Sequence, residues 1–182
     1  MEAINYLLNF IFDTILMILI LRVWLQLVRA DFYNPLCQFI VKASNPVVLP
    51  LRKIIPGLGG IDVATIVAAY LIASAKFIII PLINGGAIDI VTALIIGGAY
   101  LIKETGVLLF IIMLVMALMS WIVQGYNPTQ AVFHQLTAPI LKPIQRIVPN
   151  IGGLDLSVLI AFLALNMINI FLSGLIPFWH AL

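Results

Sequence analysis

Charge is scarce in this sequence. Only 9% of its 182 residues are Asp, Glu, Lys or Arg, against about 25% in an ordinary soluble domain. Such a chain cannot cover itself with water-facing side chains, so a soluble globular fold is excluded. The net charge of +2 is too small to point to nucleic acid, and no nucleic-acid partner is expected. Cysteine is almost absent. Cys37 stands alone, which excludes an intramolecular disulfide and a cysteine-cluster metal site and leaves packing as its role. His134 and His180 are isolated and predicted to lie on different sides of the membrane, so they do not suggest a shared metal site. The sequence has no Ser-His-Asp set, Walker loop or paired-carboxylate site. The two Gly-Gly-x-Asp runs lack the strand and third glycine of a nucleotide fingerprint. No cofactor is expected, and the chain does not read as an enzyme. A cleaved leader is also not expected: Glu2 stands where a basic region belongs, and no small-x-small site precedes Arg22.

What the chain has is apolar length and a repeat. Hydrophobic residues make up 64% of it, and the mean hydropathy is +1.22. Tyr33-Asn34-Pro35, Pro46, Pro50, Pro56, Gly59-Gly60 and Asp62 recur as Tyr126-Asn127-Pro128, Pro139, Pro143, Pro149, Gly152-Gly153 and Asp155. One shift of 93 positions relates all nine, without a gap. Each copy sits between two apolar runs. The unit is span, Pro-rich connector, span, and it occurs twice.

The predicted fold is therefore an all-α integral membrane protein. It has two parallel tandem helical-hairpin repeats, about four transmembrane helices, amphipathic connector helices and one short extra helix. Residues 1–83 form the first repeat, 84–105 a short helix and linker, and 106–182 the second repeat. Spans are expected over 3–28, 62–83, 106–124 and from Asp155 to about Phe178, with Trp179 and His180 at the far interface. A bilayer core needs about 20 helical residues. In the connectors, helix starts are expected at Asn34-Pro35 and again at Ser44-Asn45-Pro46, with a kink at Pro50. Asp89 is expected to cap a helix over 90–102 closed by Lys103-Glu104-Thr105-Gly106. Its 13 residues would be roughly 20 Å long, short of a roughly 30 Å hydrocarbon core, so it reads as re-entrant or interfacial.

Charge gives the orientation. Lys42, Arg52, Lys53, Lys142 and Arg146 lie in the connectors, while the other side holds only Lys103, offset by Glu2, Asp89 and Glu104. The positive-inside rule then puts both connectors in the cytoplasm and both termini outside.

At the doubled connector the sequence resembles a known family. Arg29-Ala30-Asp31-Phe32-Tyr33-Asn34-Pro35, Pro50-Leu51-Arg52-Lys53-Ile54-Ile55-Pro56 and Gly59-Gly60-Ile61-Asp62 look like the YggT family of small bacterial membrane proteins, across nearly the whole chain. The second copy departs from the first: Gln145-Arg146 stands for Arg52-Lys53, and Asn150 for Gly57. The resemblance implies a polytopic inner-membrane protein associated with tolerance of osmotic shock and potassium limitation. Chloroplast relatives of YlmG type imply links to haem attachment and nucleoid organisation, and Gram-positive relatives a link to cell division. It implies no catalytic residues.

Several polar residues invite a role. Asp13, Arg22 and Lys76 are charges inside apolar runs, each costing about 2.5–3.5 kcal/mol at a bilayer centre. Asp13 and Arg22 lie on opposite sides of one helix. Counted from the connector end, Asp13 and Lys76 are at the same depth and are expected to pair. The pair either neutralises itself and sets hairpin register or serves an ion or proton relay. In the second repeat Asn166 and Asn169 take the corresponding place. They read as interhelical hydrogen-bonding groups, or as completing one polar seam with Asp13, Arg22 and Lys76. Asp62 and Asp155 read as helix caps. Arg52, Lys53, Lys142 and Arg146 read as topology determinants or as ligands for anionic lipid head groups. The expected partners are the lipid bilayer, such head groups, and further copies of the chain or other membrane proteins.

Overall fold

Every long apolar run of the sequence is a helix, and none is a strand among the described residues. In the computed structural model these are all residues except 58, 123, 124, 126 and 149–155. The helices are α1 (Glu2–Leu27), α2 (Pro35–Arg52), α3 (Val63–Ile83), α4 (Ile90–Ile122), α5 (Pro128–Ile147) and α6 (Leu156–Leu175). A single 3₁₀ turn follows at Trp179–Ala181. Four of them, α1, α3, α4 and α6, are long and apolar enough to cross a membrane. The protein is an all-helical membrane protein.

Local chemistry sets the helix ends. Asn34 accepts from Leu36 N and Asn127 from Thr129 N, each ahead of a proline in the first helical position. The Asp62 carboxylate accepts from Thr65 N at the start of α3. The expected cap at Asp155 lies outside the described residues. α1 stops where Arg29 takes a left-handed φ of 52° and Ala30 N reaches back to Leu25 O, a helix stop more often built on glycine.

Two elements differ from the sequence reading. The prolines at 46 and 50 do not divide the first connector, and α2 is one helix. Nor is 90–102 a separate short helix. It is the N-terminal part of α4, whose 33 residues make a rod about 50 Å long. The charged run at 103–106 does not break α4 because its polar groups find partners within the protein. Lys103 Nζ donates to the carbonyls of Trp179 (3.0 Å) and Leu182 (2.6 Å), and Thr105 Oγ1 to Leu101 O. Gly106 costs a helix about 1 kcal/mol, too little to stop one this long. At the other end of the chain, α6 stops at Leu175, and Trp179 folds back to become buried.

Packing is tightest where side chains are smallest. α3 presents Ala64, Ala68, Ala69, Ala73 and Ser74, all buried, and small surfaces let transmembrane helices approach closely. A Cβ added at Gly97 of α4 would lie 2.7 Å from Ser74 Cα, so this crossing requires glycine. Leu16, Leu19 and Leu25 of α1 and Cys37 and Val48 of α2 complete the main core; Met113, Met116, Leu141 and Ala161 form a second among α4, α5 and α6. Both connectors lie at one end of the bundle and touch. Asn34 Nδ2, at the start of the first, donates to Pro128 O of the second (2.8 Å), and Trp24 Nε1 of α1 donates to Leu136 O of the second (2.9 Å).

Candidate functional site

Three helices bring their polar residues to one point inside the apolar bundle. Lys76 Nζ of α3 donates to Asp13 Oδ1 of α1 at 2.5 Å and to the Tyr100 hydroxyl of α4 at 2.7 Å. Tyr100 in turn donates to the same Asp13 oxygen at 2.6 Å. The ammonium also lies 4.3 Å from the Tyr100 ring centroid, within cation–π range. Phe77 packs edge-on against that ring at 5.3 Å. Lys76 is buried, while the Asp13 side chain keeps 37% of its surface exposed. Glu104, one turn beyond Tyr100, lies within electrostatic reach of Asp13, Lys76 and Lys103. The cluster thus holds two acids, two bases and one phenol. Its charges balance, and Asp13 is its open side.

Arg22 belongs elsewhere. It is buried at the connector end, where Nη1 donates to Ser44 Oγ (2.6 Å), Asn45 Oδ1 (2.9 Å) and Val41 O (3.3 Å) of α2. Its Nε lies 3.7 Å from Asp62 Oδ2. Asp62 also takes Arg52 and the Thr65 hydroxyl. Burial alone would raise the Asp62 carboxyl. The bonds from Arg52 and Thr65 outweigh it and hold the group below the ordinary carboxylate range. This network fastens α2 to α1 and α3. Arg52, read from sequence as lipid-facing, instead spends its guanidinium on Asp62; Lys53 is exposed. Lys142 and Arg146 line a shallow depression with Val28, Pro139 and Pro143.

Asn166 and Asn169 lie in a third place. α4 and α6 meet where the rings of Phe110 and Phe162 pack at a tilt with centroids 4.5 Å apart, and enclose a cleft of about 760 Å³. Lys103, Gly106, Asn166, Asn169 and Trp179 are among its lining residues; Asp13, Arg22 and Lys76 are not. Asn169 Oδ1 accepts from Trp179 Nε1 (2.8 Å). The five polar residues do not form one seam. They divide into the Asp13–Lys76 cluster, the Arg22 network and the α4–α6 cleft.

The family model described as CCB3/YggT matches residues 1–83 and 95–176. The chain belongs to that family. The second matched segment begins inside α4, so the family's repeat treats most of that rod as the counterpart of α1. The chain is 48% identical, over the whole length of both, to a Vibrio alginolyticus protein named only as uncharacterized and in the proC 3′ region. It is 40% identical to the uncharacterized protein YggT of Escherichia coli K12, covering 93% of this chain and 88% of that one. An uncharacterized Pseudomonas aeruginosa protein is 42% identical over 92% of this chain and 86% of its own. No solved structure matches. The YggT resemblance read from the doubled connector is borne out.

Sequence reasoning missed Tyr100, Glu104, Ser44 and Asn45 as partners of the buried charges. The signal for the first two was a Tyr-x-x-Lys-Glu run inside apolar sequence, which the short-helix reading placed at a membrane surface.

Proposed function

We propose that this protein serves membrane ion or osmotic homeostasis as a non-enzymatic, multi-pass protein of a bacterial inner membrane. One observation carries the reading: a charge-balanced Asp13–Lys76–Tyr100 cluster inside the apolar bundle, with Asp13 its open member. Ionisable groups at such depth are the ordinary working parts of ion and proton pathways. Asp13 exchanges a proton or cation with its surroundings. Lys76 and Tyr100 hold the carboxylate and take up its charge when the partner leaves. In this reading the basic connectors face the cytoplasm and both termini the periplasm, following the positive-inside rule. Flux of protons or potassium in proteoliposomes of purified protein, abolished by Asp13→Asn, is the expected result. Absence of flux in the wild-type protein overturns it. Reporter labels at positions 45 and 140 test the orientation, and both must react from the cytoplasmic side.

A second reading is a scaffold or assembly factor that recruits partners through the connectors. It is favoured by the bonds that tie α5 to the first repeat, from Asn34 at the start of the first connector and from Trp24 of α1. Loss of function on exchanging the connectors, with no flux in the intact protein, selects this reading.

A further inference from the structure

We infer that copies of this chain associate head to tail in the membrane, α6 of one copy receiving α1 of the next. The argument rests on how the two repeats meet inside one chain. Within a chain, α3 of the first repeat receives α4, the opening helix of the second. Tyr70, Ala73, Ser74 and Phe77 form the receiving stripe. Tyr70 donates to Leu94 O, Ser74 meets Gly97, and Phe77 packs on Tyr100. The stripe presented by α4 is thus Leu94, Gly97 and Tyr100. This contact is heterologous: a two-fold relation would pack α1 against α6 as closely as α3 against α4, and α1 and α6 share no comparable packing. A heterologous contact leaves one donor face and one acceptor face open at the two ends of the assembly.

Both open faces are present. Shifted forward by 93, the receiving stripe becomes Leu163, Asn166, Met167 and Ile170 of α6. Leu163, Met167 and Ile170 are 59%, 62% and 63% exposed, and Asn166 is exposed as well. Shifted back by 93, the α4 stripe becomes Met1, which precedes α1, and Ile4 and Leu7 of α1, 73%, 50% and 56% exposed. Each stripe lies on one face of its helix, at spacings of three and four. One further observation favours a protein occupant: from Phe162 to Leu175 not one residue of α6 is buried, so this length of helix lacks the cover that α4 gives α3. The contact between copies is wider than the one within a chain, because Ile4 and Met167 stand where Gly97 and Ser74 do.

The test is cross-linking in native membranes with Cys37 replaced by Ala. Ile4→Cys and Met167→Cys are carried on two differently tagged copies and treated with a short bis-maleimide. A cross-link between the tags is expected only when both variants are present. The double variant Ile4→Cys/Met167→Cys is expected to give a ladder of multiples. An internal control, Tyr70→Cys/Gly98→Cys, cross-links within one copy and reports that the reaction proceeds in the membrane. Equal cross-linking of Met167→Cys with itself overturns the inference in favour of a symmetric α6 pair. No intermolecular cross-link, with monomers in nanodiscs and co-purified lipid in the cleft, overturns it in favour of a lipid.

Discussion

Trp24 donates its indole N–H to the backbone carbonyl of Leu136, 112 positions along the chain, at 2.9 Å. The bond ties the last turns of α1 to the connector of the other repeat. With Asn34 and Pro128, it makes one structure of two duplicated elbows. Trp24→Phe keeps most of the ring and removes the donor. The expected cost is about 1 kcal/mol, the value of one such bond. Faster amide exchange across 131–141, with α3 unchanged, is the measurement that checks it.

Breaking the intramembrane pair is expected to harm more than deleting it. Lys76→Met leaves Asp13 charged beside Glu104. The cost is set at about 2 kcal/mol, below the roughly 3–5 of a fully buried pair, because the Asp13 side chain is 37% exposed. In Asp13→Asn/Lys76→Met no charge is stranded, and most of that loss is expected to return. Thermal unfolding in one detergent, compared across the two single variants and the double, gives the answer. A double variant less stable than either single would refute the pairing argument.

Two neighbouring glycines are expected to respond differently. A Cβ at Gly97 would lie 2.7 Å from Ser74 Cα and 2.8 Å from Ser74 N. This is backbone, which cannot swing aside. At Gly98 the nearest atom is Tyr70 Cε2 at 3.5 Å, an ordinary contact. Gly97→Ala is expected to spread α3 from α4 at a cost of about 2 kcal/mol or more. Gly98→Ala is expected to be neutral or slightly stabilising, as alanine is the better helix former. Melting temperatures of the two variants decide the matter.

Acid is expected to loosen the connector end first. The Asp62 carboxyl is held below its ordinary value, so the folded protein takes up this proton less readily than the unfolded chain does. The stabilisation is complete above the unfolded value, about pH 4, and is lost as pH falls through the folded one. Asp62→Asn is expected to lower stability at pH 7 and to flatten the acid limb. A melting series from pH 7 to pH 3 on both proteins is the check; parallel limbs would exclude Asp62 as the source.

Much of this architecture is legible in the sequence, for identifiable reasons. The shift of 93 exposed the repeat, and apolar length exposed the crossings. Depth counted from Val28 and Asp62 matched Asp13 to Lys76, because helical rise is constant. Partners that depend on crossing geometry were not legible. Arg22 looked like a membrane charge because its partners, Ser44 and Asn45, lie in a connector whose docking angle no local pattern states. Tyr100 was hidden by a local rule: Lys-Glu-Thr-Gly reads as a helix end, and only tertiary bonds from Lys103 to Trp179 and Leu182 make it a helix middle.

The continuity of α4 also makes the two hairpins inseparable. The same rod supplies Tyr100 to one hairpin and Met113 and Met116 to the other. Cutting the chain at residue 86 would therefore not yield two working halves: one would have a lysine without its phenol, the other a phenol with nothing to hold.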